Sequence, residues 1–170
     1  DTKADLLIYG MGEKPVVELV RQIKEGKSFA EMTDIPQTSF ASKEIPQHPK
    51  WKDITLVSHD VCLTDKKLYA SNFKHIEQES NKYDAARLLQ KAGNRWIVVN
   101  PPYEPLNAAE LDASYDLPYT RVPHPKYKGK TIPAYEMIKF SVNLHRGCFG
   151  GCSFCTISAH QGKHIVSRSK

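Results

Sequence analysis

No run of apolar residues in the 170-residue sequence approaches the ~20 positions that a membrane-spanning helix needs. No basic start followed by an apolar centre marks a secretory leader, and a reducing cytoplasm is the expected compartment. Cysteine is scarce, at four residues, and three of the four crowd together near the C-terminus, so a disulfide framework is not expected. Acidic residues are nearly missing from the last fifty positions. Residues 121–170 hold nine Lys or Arg and one acid, Glu136, whereas residues 1–120 hold fifteen bases and eighteen acids. Such a basic segment attracts anionic substrates or RNA. Aromatic and basic residues do not interleave there as a stacking platform requires, so a nucleic-acid partner is unsupported. The composition, 40% hydrophobic and 25% charged, is that of an ordinary globular chain long enough to bury a core.

The chain opens on a short apolar run, residues 4–9, followed by Gly10-Met11-Gly12-Glu13. From Pro15 onward, Val16, Leu19, Val20 and Ile23 recur at spacings of three and four, one face of a helix that Gly26 should stop. Strand, glycine turn and helix in that order are the unit of a parallel α/β sheet. The turn lacks the third glycine of a dinucleotide fingerprint, and tight turning is a stronger reason for its glycines than phosphate binding.

Residues 27–50, with three prolines among many polar residues, read as a connecting loop. Residues 54–58 read as a strand, and 65–80 as a helix with Tyr69, Phe73 and Ile76 on one face. Residues 84–91 read as helical, ended by Gly93, and 96–99 as a second strand stopped by Asn100-Pro101-Pro102. Asn107 with Glu110 predicts a capping box. Residues 115–127 form an aromatic, proline-rich extended segment. Ile138, Phe140, Val142 and Leu144 alternate with polar residues, which predicts a strand over 137–144.

That strand runs into Arg146-Gly147-Cys148-Phe149-Gly150-Gly151-Cys152-Ser153-Phe154-Cys155, with three cysteines spaced Cys-x3-Cys-x2-Cys. Three thiolates on one short loop can ligate three irons of a 4Fe–4S cluster, and the missing fourth leaves one iron open to a small molecule. Gly147, Gly150 and Gly151 allow the tight turning that convergence needs. No acidic residue in the loop opposes the charge of deprotonated thiolates. Two alternatives compete. A structural zinc loop needs a fourth ligand, such as His145 or His160. An electron-transfer cluster needs a fourth cysteine at close spacing. Cys62 is the one cysteine left over, and a solitary cysteine is more often a small buried residue than a ligand.

The loop resembles the cluster loop of radical S-adenosylmethionine (SAM) enzymes, in which an aromatic residue precedes the third cysteine, as Phe154 does. Ile132-Pro133-Ala134, Lys139-Phe140-Ser141, residues 145–152, His160-Gln161-Gly162 and Ser167-Arg168-Ser169 together resemble the YgiQ family of radical SAM proteins. The resemblance implies an α/β chain in three parts. Residues 1–26 would end a cobalamin-binding-like, Rossmann-like domain. Residues 27–130 would be a linker and a small α/β insert. Residues 131–170 would start the radical SAM domain, with 137–144 as the first strand of a partial (β/α) barrel, 146–158 as the cluster loop, and Ser167 or Ser169 as the cap of the first barrel helix. It also implies an enzyme of which this chain is a piece, inactive alone. Cys148, Cys152 and Cys155 would ligate the cluster, whose open iron would chelate the amino and carboxylate groups of S-adenosylmethionine. Phe154 would flank the adenine, with Gly150 and Gly151 beside the cofactor. His145, Arg146 and His160 are candidates for surrounding contacts. The expected electron donor is of the flavodoxin or ferredoxin kind, the substrate is not readable, and cobalamin is unsupported.

Overall fold

Gly93-Asn94 closes a two-residue hairpin at the centre of the sheet, where a helix end was expected. The computed structural model describes residues 4–80 and 82–169. It divides into two units, residues 1–104 with 147–164, and residues 105–146 with 165–170. In the first unit, β1 (Leu7–Ile8) and α1 (Glu13–Lys24) are followed by β2 (Thr38–Ser42), β3 (Asp53–Thr55), α2 (His59–Cys62), α3 (Lys66–Glu79), β4 (Arg87–Ala92) and β5 (Arg95–Val99). The strands lie side by side in the order β1-β2-β5-β4-β3. Only β3 and β4 run parallel, and the other pairs are antiparallel. The architecture is α/β, but the sheet is mixed rather than parallel. β1 lies in the same sheet as β2 to β5.

Three segments depart from the sequence reading. Residues 84–91, expected as helix, give most of strand β4. Ala85, Leu88 and Leu89 do fall at helical spacing, yet Arg87, Leu88 and Leu89 are buried in succession. A central strand covered on both faces hides the alternation that marks a half-exposed one. Gly93, at φ +57°, takes the first position of the β4–β5 hairpin loop, where a positive φ favours glycine. Residues 27–50 are not all connection, because β2 within them lies between β1 and β5.

Polar bonds hold the bend that leads into β2. Asn100, 1% exposed at the end of β5, donates through Nδ2 to the carbonyls of Thr33 (3.0 Å) and Ile35 (2.9 Å) and to Thr38 Oγ1 (3.2 Å). Gln37 sits in the left-handed region at φ +62°, costly for a residue with a Cβ. Its side chain donates to the carbonyls of Tyr9 (2.6 Å) and Met11 (2.5 Å), filling the inside of the Gly10–Gly12 turn. The Tyr9 hydroxyl donates to the Asn100 carbonyl, and burial pushes its phenol far above the ordinary value. The glycine turn is therefore packed with protein groups.

The long helices of this unit bury polar side chains and leave most of their apolar stripes exposed. On α1 the buried residues are Pro15 and Gln22, while Val16, Val20 and Ile23 are exposed. Gln22 Nε2 donates to Glu18 (2.8 Å) and Asp34 (3.2 Å). On α3 the buried residues are Asn72 and Glu79, while Tyr69, Phe73 and Ile76 face solvent. The Asn72 carboxamide pairs with both the N–H and the carbonyl of Val57, each at 2.8 Å, as another backbone would. Glu79 accepts from Ala86 N–H (2.8 Å) and from Lys82 (2.6 Å). Helical periodicity finds each apolar stripe but does not say which side the sheet covers.

The second unit holds α4 (Ala108–Tyr115), a 3-10 turn at Pro125–Tyr127, α5 (Pro133–Ile138), and a two-stranded antiparallel ribbon of β6 (His145–Arg146) and β7 (Val166–Ser167). The expected capping box starts α4, with both reciprocal bonds between Asn107 and Glu110 formed at 2.8 and 2.9 Å. The strand expected over 137–144 is absent. Pro133 stands at the first position of α5, where its fixed φ favours a helix. Beyond α5, Phe140, Val142 and Leu144 are 88, 72 and 65% exposed. Alternation makes a strand only beside another strand, and none among the described residues pairs with 139–143, while Leu144 accepts one backbone bond from Arg168 at 3.0 Å. Ser167 lies in β7 rather than capping a helix, and the Ser169 N–H donates to Asp112. No helix among the described residues is long and apolar enough to cross a membrane.

Among the described residues of the first unit, Arg87 is a deeply buried charge whose partner is well defined. Arg87, 2% exposed on β4, meets the carboxylate of Asp53 on β3 through two bonds of 2.8 and 2.9 Å and donates a third to the Pro46 carbonyl at 2.8 Å. Asp53→Ala strands that guanidinium and should lower the unfolding free energy by about 2–4 kcal/mol in urea denaturation. Asp53→Asn, which keeps one acceptor, should lose less.

Candidate metal centre

The three cysteines lie between the two strands of the ribbon. β6 ends at Arg146, one position before the loop, and β7 begins at Val166. His145 pairs with Ser167 and Arg146 with Val166, so the chain enters and leaves the loop through one antiparallel neck. Within the second unit, α4 holds this neck by one aromatic ring. The Arg146 and Arg168 guanidiniums lie 5.3 and 4.8 Å from the centre of Tyr115. Arg146 Nε donates to the Tyr115 hydroxyl at 3.4 Å, and Arg168 Nε donates to Asp112 at 3.2 Å. Bonds from Ser169, then Arg168, hold the Asp112 carboxyl below its ordinary range. Arg146, expected near the cofactor, thus has a structural place on Tyr115.

Inside the loop, short local bonds shape the turn. Cys148 N–H donates to the Gly162 carbonyl at 3.1 Å, and Gly147 N–H donates to Gln161 Oε1 at 3.4 Å. Gly147 and Gly151 take φ of +90° and +61°, a backbone that a side chain would strain. Gly150 donates its N–H to Cys148 Sγ at 3.4 Å. A Cβ on Gly150 would lie 3.3 Å from Cys148 Sγ and 3.7 Å from Cys152 Sγ, so these sulfurs flank one small hollow that glycine leaves open. Cys155 follows in the next turn, its N–H on the Cys152 carbonyl at 3.1 Å. After it comes α6 (Ile157–Gln161).

The structure brings two of the three thiols to that hollow. No group of three His, Cys, Asp or Glu among the described residues, the three cysteines included, is gathered to hold a metal ion. Phe154 and Phe149 are 89 and 79% exposed beside the cysteines, and Cys152 is exposed as well. The donor set fits an iron–sulfur cluster, since three soft thiolates lie on a loop without acids and an N–H already points at one sulfur.

Residues 1–141 match the family model described as "Radical SAM N-terminal". A UPF0313 protein of Bacteroides thetaiotaomicron is 62% identical over 100% of this chain and 29% of its own length. UPF0313 protein YgiQ of Escherichia coli is 36% identical over 100% of this chain and 30% of its own length. The chain belongs to the YgiQ family of radical SAM proteins. A further UPF0313 protein, of Porphyromonas gingivalis, is 56% identical over 98% of the chain and 26% of that protein. The chain spans less than a third of the length of these relatives. No solved structure matches it.

In this YgiQ-family chain the fourth cysteine is occupied elsewhere. Cys62 is half-buried at the end of α2, its Sγ accepting from Asn72 Nδ2 at 3.1 Å and Gln90 Nε2 at 3.9 Å. It belongs to the amide network that ties α3 and β4 around Val57, a more polar setting than the apolar burial expected for it. Cys62→Ala should leave metal content unchanged and cost about 1 kcal/mol of stability. Iron analysis and denaturation of the same sample check both.

Proposed function

We propose that the protein carrying this chain is a radical SAM enzyme whose 4Fe–4S cluster is ligated by Cys148, Cys152 and Cys155. One observation carries the reading. In a chain of a radical SAM family, Cys148 and Cys152 present their sulfurs to a single hollow over Gly150, with a third cysteine in the next turn. When bound, the cluster supplies one electron that splits S-adenosylmethionine into methionine and a 5′-deoxyadenosyl radical, which takes a hydrogen atom from the substrate.

The chain's own residues prepare this chemistry. The Gly150 N–H donates to Cys148 Sγ and offsets thiolate charge, a contact that raises a cluster's potential. Gly150 keeps the space between two ligands clear of side-chain atoms. Phe154 offers its apolar face for the adenine, with Gly151 turning the backbone beside it. Cys155 would complete the ligand set with Cys148 and Cys152, and the loop would supply no fourth protein ligand to the cluster. In this reading residues 131–170 open the radical SAM domain, 1–26 have the order of a cobalamin-binding-like domain's last strand and helix, and a flavodoxin- or ferredoxin-like donor supplies the electron in the cytoplasm.

Anaerobic reconstitution of the intact protein should give a brown species with about four irons and four sulfides, and dithionite should release 5′-deoxyadenosine from added S-adenosylmethionine. Cys152→Ala should lose the chromophore and the product together. A normal cluster in Cys152→Ala would sink the ligand assignment.

A further inference from the structure

The far end of the cysteine loop is fastened to the rest of the first unit at two points. Lys163 Nζ meets Glu77 on α3 at 2.5 Å, and the lysine side chain is 16% exposed, so this is a largely covered cation with a defined partner. The next residue, His164, packs its ring on Tyr83 with centroids 4.4 Å apart. Within α6, the His160 carbonyl lies near Gly10, 3.9 Å from where a Cβ would stand, an ordinary van der Waals distance. Between His160 and Lys163 sits Gly162, whose carbonyl accepts the N–H of Cys148. The first cysteine is therefore bonded to the residue that directly precedes the pinned Lys163.

We propose that Glu77 and Tyr83 are positioning residues for the cysteine loop, acting on Cys148 through Lys163, His164 and the Gly162 carbonyl. Neither residue touches a cysteine. Their effect is to choose one conformation for a glycine-rich segment, so that Cys148 already faces Cys152 before any metal arrives. The placement of the loop rests on the structure alone. Its consequence for metal loading rests on the cluster reading above. The chemistry asks for such a brace, because a mobile loop must be ordered at the moment of ligation, and that entropy is subtracted from affinity.

The test is a charge exchange read in two ways. In metal-free protein, amide hydrogen exchange of residues 147–164 should quicken about fivefold in Glu77→Lys and in Lys163→Glu, the size expected for a half-covered ion pair. It should return toward the parent rate in the double variant Glu77→Lys/Lys163→Glu, while strands β4 and β5 keep their protection throughout. Tyr83→Ala, which leaves the ion pair in place, should quicken the same peptides. Loop exchange unchanged in both single variants, or a double variant no better than they are, overturns the brace. After anaerobic reconstitution, iron per chain should fall in each single charge variant and recover in the double one. Equal iron in parent and single variants overturns the consequence for loading. If the parent protein takes up no iron, the cluster reading fails, and the exchange data still decide the brace.

Discussion

A loop with glycine at positions 147, 150 and 151 has too much conformational freedom to bring sulfurs together unaided. Its geometry must come from what grips it. The second unit by itself holds its β6–β7 ribbon to α4 by the Tyr115 ring and the arginines on it. In the first unit the grip is the bond between Cys148 and Gly162, with Lys163 and His164 tied to α3 and the turn after it.

The same unit shows how little of its cohesion is apolar packing between helix and sheet. Gln22, Asn72, Glu79 and Asn100 are all buried, and each spends its side chain on backbone or carboxylate groups. Such contacts are directional. Losing one partner leaves another group without its bond inside the protein, which costs more than trimming a methyl from a surface. The unit should therefore tolerate exchange of its exposed valines and aromatics far better than exchange of these amides.

What was legible in the sequence was local. Cysteine spacing can suggest a ligand set because three donors on one loop need no long-range information. The Asn107–Glu110 box was legible because both bonds lie within one turn, and Gly26 stopped α1 for the same reason. The chain's family was legible from short words scattered over residues 132–169. Longer-range facts were hidden. β4 was misread because burial on both faces erases a strand's period. The apolar stripe of α3 was found, but its outward direction is set by Asn72 and Val57, fifteen positions apart. The alternation over 138–144 was real as a pattern, but residues 139–143 have no strand to pair with among the described residues. Glu77 lies 86 positions from Lys163, and nothing at either place marks the other as its partner.

The central claim is that three cysteines hold a four-iron cluster and leave one iron without a protein ligand. Mössbauer spectroscopy of the iron-57-reconstituted intact protein, with and without S-adenosylmethionine, tests it most directly. The account predicts a 4Fe–4S spectrum in which one iron site shifts when S-adenosylmethionine is added and the other three hold their parameters. Four sites that ignore S-adenosylmethionine, or a colourless protein that carries zinc in place of iron, would contradict it.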